Sequence, residues 1–127
     1  MTRILIVDDQ PSNRELLHIV FERQGHLIAE AGDGDEALRK IQEQATDLVL
    51  LDITMPNVDG YEVLKKIRSD QRSAALLVVA VTAHAMRGDR EKILSAGFNG
   101  YVSKPISVAY VRKEVDRLLL KVLPGAA

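Results

Sequence analysis

Ile4-Leu5-Ile6-Val7-Asp8-Asp9 is the stretch that decides the fold. Its apolar residues run without polar alternation. That suits a short strand buried on both faces, as in parallel sheets covered by helices. Two acids close the run. Leu48-Val49-Leu50-Leu51-Asp52 repeats the form farther along. If the two strands lie side by side in a parallel sheet, three carboxylates crowd into one crevice. Unpaired, they raise one another's pKa, so keeping them ionised calls for a cation. Oxygen-only ligands of this kind suit Mg²⁺ or Mn²⁺.

Short apolar runs recur at Leu27 to Ala31, Leu76 to Val81 and, more weakly, Gly100 to Val102. Amphipathic stretches with helical spacing lie between them. Pro11 suits a first helical turn, where its missing N–H costs nothing. Leu17, Val20 and Phe21 share a face, and Gly25 supplies a stop. Asp33-Gly34-Asp35-Glu36 places acids at the start of a second helix carrying Ala37, Leu38 and Ile41. A third begins at Gly60 or Tyr61, with Val63, Leu64 and Ile67 inward. The fourth is expected over 87–96, ended by Gly97. The last runs from Ser107 to about Leu123, with Val111, Val115, Leu118 and Leu119 as its stripe. Strands alternating with helices predict an α/β fold, a doubly wound five-stranded parallel sheet with five flanking helices. In such sheets ligands bind beyond the carboxyl ends of the strands. Asp8, Asp9, Asp52 and Thr82 all stand at those ends.

The 127 residues form one domain, long enough to bury a core without staples. A domain over 1–123 and a tail over 124–127 are expected. With 28% charged residues and a formal charge of −1, the chain has no basic excess to neutralise phosphates, which argues against nucleic-acid binding. It has no cysteine, so disulfides and thiolate metal sites are excluded. No apolar stretch approaches the roughly 20 residues that span a bilayer. No signal segment precedes the first strand, and a cytoplasmic location is expected.

Asp52 is the candidate nucleophile, since a carboxylate can attack a phosphoryl group to give an aspartyl phosphate. The charge on the transferring oxygens needs a cation, a lysine and a hydroxyl to stabilise it. Lys104 and Thr82 are positioned to supply the last two. Lys104 precedes Pro105, and X-Pro bonds are the usual place for a cis peptide; one there would aim the ammonium into the crevice. His18 and His26 lack acidic or cysteine partners at ligand spacing and are read as surface residues.

Taken together, Ile4 to Asp9, then Leu51-Asp52-Ile53-Thr54-Met55-Pro56 with Asp59-Gly60, then Val81-Thr82-Ala83, then Tyr101-Val102-Ser103-Lys104-Pro105, resemble a response-regulator receiver domain. This is the phosphoacceptor module of two-component signalling, and the resemblance covers essentially the whole chain. It implies the flavodoxin-like strand order 2-1-3-4-5. It implies that Asp52 accepts a phosphoryl group from a histidine kinase or histidine phosphotransfer protein. Asp8, Asp9 and Asp52 would bind Mg²⁺ with the backbone carbonyl of Thr54, Asp8 acting through water. Lys104 and Thr82 would contact the phosphoryl oxygens. Thr82 and Tyr101 would form the switch, remodelling the face of the fourth helix, fifth strand and fifth helix for a downstream protein target or a phosphorylation-dependent homodimer. Thr54 and His84 would tune phosphate lifetime.

Three rivals weigh less. A phosphohydrolase of the haloacid-dehalogenase type places an acid two residues after its nucleophile, where this chain has Thr54. A flavin or nucleotide binder needs a phosphate-cradling loop after the first strand, where Asp8-Asp9-Gln10 would repel phosphate. A degenerate docking module would not need Asp8, Asp9, Asp52, Thr82 and Lys104 together. A stand-alone regulator, rather than a receiver of a hybrid kinase or multidomain regulator, is the expected form.

Overall fold

The computed structural model describes residues 2–55, 59–83 and 89–122. Strand and helix alternate as β1 (Arg3–Val7), α1 (Pro11–Glu22), β2 (Leu27–Ala31), α2 (Gly34–Glu43), β3 (Leu48–Asp52), α3 (Gly60–Ser69), β4 (Leu77–Thr82), α4 (Asp89–Ser95), β5 (Gly100–Ser103) and α5 (Val108–Val122). The strands pair in parallel in the order β2-β1-β3-β4-β5. The expected start of the fourth helix at 87 and the expected tail at 124–127 lie outside the described residues.

Side chains alternate across a strand, so each apolar run feeds two cores. Leu5, Val7, Val49, Leu51, Val78 and Ala80 face the layer of α2, α3 and α4, meeting Ala37, Leu64, Ile67 and Ile93. Ile4, Ile6, Leu48, Leu50, Val79 and Val81 face α1 and α5, meeting Leu17, Phe21, Val111 and Val115. β3 and β4 are buried along their whole length. β2 departs from the expectation of burial on both faces. It is an edge strand, its Leu27 is exposed, and only Ala31 is fully buried.

The helix ends follow local chemistry. Pro11 sits in the first turn of α1. Asp33 caps α2 by accepting the Glu36 N–H at 2.8 Å, and Glu36 reaches back to accept the Gly32 N–H at 2.8 Å. Asp59 caps α3 by accepting the Tyr61 N–H at 2.9 Å. Gly25 (φ 93°) and Gly97 (φ 113°) follow α1 and α4 in the left-handed region that favours glycine.

A polar clamp invisible to periodicity closes the α3–α4 layer. Arg68 donates to the carbonyls of Gly97 (2.8 Å) and Ala74 (3.2 Å) and to Asn99 Oδ1 (2.7 Å). Asn99 extends the β4 ladder: its N–H donates to the Val78 carbonyl at 2.8 Å, and its Oδ1 accepts the Val78 N–H at 2.9 Å. Burial lowers the Arg68 pKa without discharging it. His18 and His26 are less peripheral than expected. His18 Nδ1 lies 2.6 Å from Glu30 Oε2 and its Nε2 3.2 Å from Glu22 Oε2. His26 is half-buried beside the Phe21 ring, and burial lowers its pKa.

Gly60 opens α3 against Ile53. A Cβ there would come within 2.5 Å of Ile53 Cγ2 and 2.9 Å of the Ile53 backbone Cα. Gly60→Ala is therefore expected to destabilise the fold by about 1–3 kcal/mol through overpacking. Urea denaturation checks this, with a lower midpoint and an unchanged slope as the expected outcome.

Candidate functional site

The register of three strands builds a crevice from residues far apart in sequence. Val7 pairs with Leu51, so Asp8 and Asp52 leave neighbouring strands side by side. Asp52 pairs with Val81, which puts Thr82 just beyond it. Thr82 pairs with Ser103, and the Lys104 N–H donates to the Thr82 carbonyl at 2.7 Å. The Lys104–Pro105 peptide is cis. Asp8, Asp9, Asp52, Thr82 and Lys104 thus gather at the carboxyl edge of the sheet, where doubly wound folds bind ligands.

Asp52 is only 1% exposed and both of its carboxylate oxygens are engaged. Oδ1 accepts from the Thr54 N–H and the Thr54 hydroxyl, each at 2.8 Å. Oδ2 accepts from Lys104 Nζ at 2.7 Å. Asp8, also buried, accepts the Gln10 N–H at 2.9 Å on Oδ1 and the Asn13 amide at 3.3 Å on Oδ2. The same ammonium stands 3.9 Å from Asp8 Oδ2. Asp9 opens to solvent at the mouth.

One oxygen from each of Asp8, Asp9 and Asp52 falls within a cluster 4.8 Å across. Desolvation pushes the Asp8 pKa up, and the Asp52 charge adds to the rise; Lys104 and the two hydrogen bonds offset only part of it. One ammonium does not balance three acids. The donors are hard oxygens on one side of an open crevice, so the residues present fit a small divalent cation.

Around this centre, Thr82 is buried. Tyr101 is half-buried, packs against the core on the α2–α3–α4 side, and carries the Arg90 guanidinium over its ring at 5.8 Å. Thr54 lies in the crevice through its contacts with Asp52. His84 falls outside the described residues. Sequence reasoning did not find Asn13 or Arg14. Arg14 Nη1 donates to the Asp8 carbonyl at 2.7 Å, and a polar residue on a predicted helix gives no sign of such a target.

Comparison with known proteins agrees with this geometry. The family model described as the response regulator receiver domain matches residues 4–116. The polar-differentiation response regulator DivK of Brucella ovis is 41% identical over 105 residues, covering 83% of this chain and 85% of DivK. The sensor protein EvgS of Escherichia coli K12 is 38% identical over 115 residues, covering 91% of this chain but only 9% of EvgS. Among solved structures, the response regulator TrrA of Thermotoga maritima, in complex with Mg(2+)-BeF, superposes with a TM-score of 0.82 at 36% identity, covering 94% of this chain and 100% of that one. A family match running from the first strand into the last helix, on a sheet whose register gathers the acids independently of it, assigns the chain to the response regulator receiver domain family.

Proposed function

We propose that Asp52 is the phosphoacceptor of this receiver and that Asp8, Asp9, Asp52 and the Thr54 carbonyl hold Mg²⁺, or Mn²⁺ in its place. The observation that carries the reading is the buried Asp52 carboxylate, fixed between the Lys104 ammonium and the Thr54 N–H and hydroxyl. An oxygen–phosphorus bond forms to Asp52 as the phosphorus–nitrogen bond of a phosphohistidine donor breaks, its electron pair passing to the imidazole. Bound Mg²⁺ would supply Lewis-acid neutralisation of the phosphoryl oxygens. Lys104 leaves Asp52 to pair with the incoming phosphoryl charge, and the Thr82 hydroxyl meets another of its oxygens. Thr82 and Tyr101 then couple the phosphate to the face of α4, β5 and α5, where a protein target or a second copy binds. Thr54 and His84 set how long the phosphate persists.

The donor is a histidine kinase or histidine phosphotransfer protein. Phosphorylation and dephosphorylation of its own Asp52 are the only reactions this chain catalyses, and the cytoplasm, where a kinase finds its nucleotide, is its place. No helix among the described residues is long and apolar enough to cross a membrane. A receiver domain over 1–123 acting as a stand-alone regulator is favoured by the mutual coverage with DivK. The short share of EvgS matched supports the second reading, a receiver within a larger sensor.

The defining experiment is intact mass after incubation with acetyl phosphate and with a phosphorylated histidine phosphotransfer protein. A phosphate-sized gain is expected with Mg²⁺, and none with excess EDTA or in Asp52→Asn. No gain from either donor overturns the reading. Lys104→Ala is expected to slow phosphorylation on the order of a hundredfold, as for loss of one preorganised charge donor; stopped time courses measure it.

Asp8 supplies a test without chemistry. Its folded-state pKa is raised, so the folded state holds that proton more tightly than the unfolded chain does. Its ionisation therefore costs stability as pH rises through the folded pKa, and costs nothing below the unfolded value. In EDTA, Asp8→Asn is expected to melt above the wild type at pH 7, with the gain shrinking toward pH 4. Thermal melts at both pH values decide it.

A further inference from the structure

Asp8 and Asp9 sit on a turn, and a turn by itself holds two side chains loosely. Here the turn is tied at its backbone. Arg14, one helical turn into α1, donates Nη1 to the Asp8 carbonyl at 2.7 Å and Nε to Glu30 Oε1 of β2 at 3.1 Å. Glu30 is held in turn: its other oxygen meets His18 Nδ1 at 2.6 Å, and its own carbonyl accepts from the Lys40 ammonium of α2. The guanidinium thus spans from the sheet edge to the peptide joining the two acids.

That peptide is planar, so holding the Asp8 carbonyl also fixes the plane of the Asp9 N–H. The direction in which Asp9 leaves the turn follows from it. Asp9, the exposed member of the acid cluster, has no side-chain hydrogen bond among those identified for the described residues that could orient it otherwise.

We propose that Arg14 is a positioning residue for the cation site, aiming Asp9 through the Asp8–Asp9 peptide, with Glu30 as its anchor. The proposal rests on the reading of Asp8, Asp9 and Asp52 as that site. The Glu30 pKa supports the anchor: burial would raise it, yet the hydrogen bonds from His18 and Arg14 bring it below the ordinary carboxylate range. A lysine could not replace Arg14, because a single ammonium lacks the fork that reaches both acceptors at once.

Charge and positioning make opposite demands at Arg14. A cation beside three acids repels a second cation, so an arginine acting by charge alone would weaken Mg²⁺ binding, and its removal would tighten it. An arginine that aims Asp9 strengthens binding, and its removal would weaken it. Partners that orient metal ligands are worth about 10–100-fold in affinity.

The experiment is calorimetric titration of the folded chain with Mg²⁺, with metal-free melting run in parallel to establish that each variant is folded. Arg14→Ala and Arg14→Lys are both expected to lose about tenfold or more in affinity. Glu30→Gln keeps an acceptor for Arg14 Nε and should bind close to wild type, whereas Glu30→Ala should bind more weakly. Wild-type affinity in folded Arg14→Lys, or tighter binding in Arg14→Ala, overturns the proposal while leaving the cation site intact. A wild-type chain that binds no Mg²⁺ overturns the cation reading itself, and this inference with it.

Discussion

Mutual repulsion among three carboxylates is the constraint around which the upper edge of this sheet is arranged. Asp8, Asp9 and Asp52 present oxygens within 4.8 Å of one another, two of them from buried side chains. Such a cluster is tolerable only where hydrogen bonds and positive charge offset it. The fold supplies Lys104 between Asp52 and Asp8, the Gln10 N–H and Asn13 amide on Asp8, and the Thr54 N–H and hydroxyl on Asp52. No buried side-chain nitrogen or oxygen among the described residues lacks a partner. What is left over is net negative charge facing an open crevice, the local condition for recruiting a cation.

Rigidity beneath the crevice comes from strands that belong to two cores at once. Each of β1, β3 and β4 sends alternate residues to the α1–α5 layer and to the α2–α3–α4 layer. A one-residue slip in any of them would exchange the two faces, so packing specifies the register strongly. Register, in turn, decides which strand-end residues meet. The same pairings that bury Val7 against Leu51 deliver Asp8 to Asp52, and the pairing of Thr82 with Ser103 delivers Lys104 to both. Stability and site geometry therefore share one cause.

Arginines stitch the periphery in a way that differs from the core. Arg68 joins α3 to the Gly97 carbonyl that follows α4, to the Ala74 carbonyl before β4 and to Asn99 at the β4 edge. Arg14 joins α1 and the β2 edge to the acid-bearing turn. In both, one planar fork serves acceptors on separate elements, which converts a local turn into a three-element joint. Loops loaded with chemistry are otherwise the most mobile parts of a domain.

Local patterning along the chain predicts the element order, the burial of the central strands, helix starts at Pro11, Asp33-Gly34 and Gly60 or Tyr61, and the standing of Asp8, Asp9, Asp52 and Thr82 at strand ends. Apolar periodicity and turn chemistry are local properties that one stretch of chain carries alone. The expected burial of β2 on both faces does not hold: sheet order makes it an edge strand, and Glu30 within the run is the local sign of partial exposure. His18 has two acidic partners, Glu22 four residues on in the same helix, a spacing legible in the sequence, and Glu30 on β2, which only the tertiary structure brings near. The contacts of Arg14, Glu30, Arg68 and Asn99 emerge only from the assembled fold. For Arg14, Glu30 and Arg68 the physical reason is that a long polar side chain on a helix or edge strand looks solvated in sequence, and only packing between distant elements brings its partner within reach; Asn99 is a loop residue whose partners, Val78 and Arg68, lie on β4 and α3.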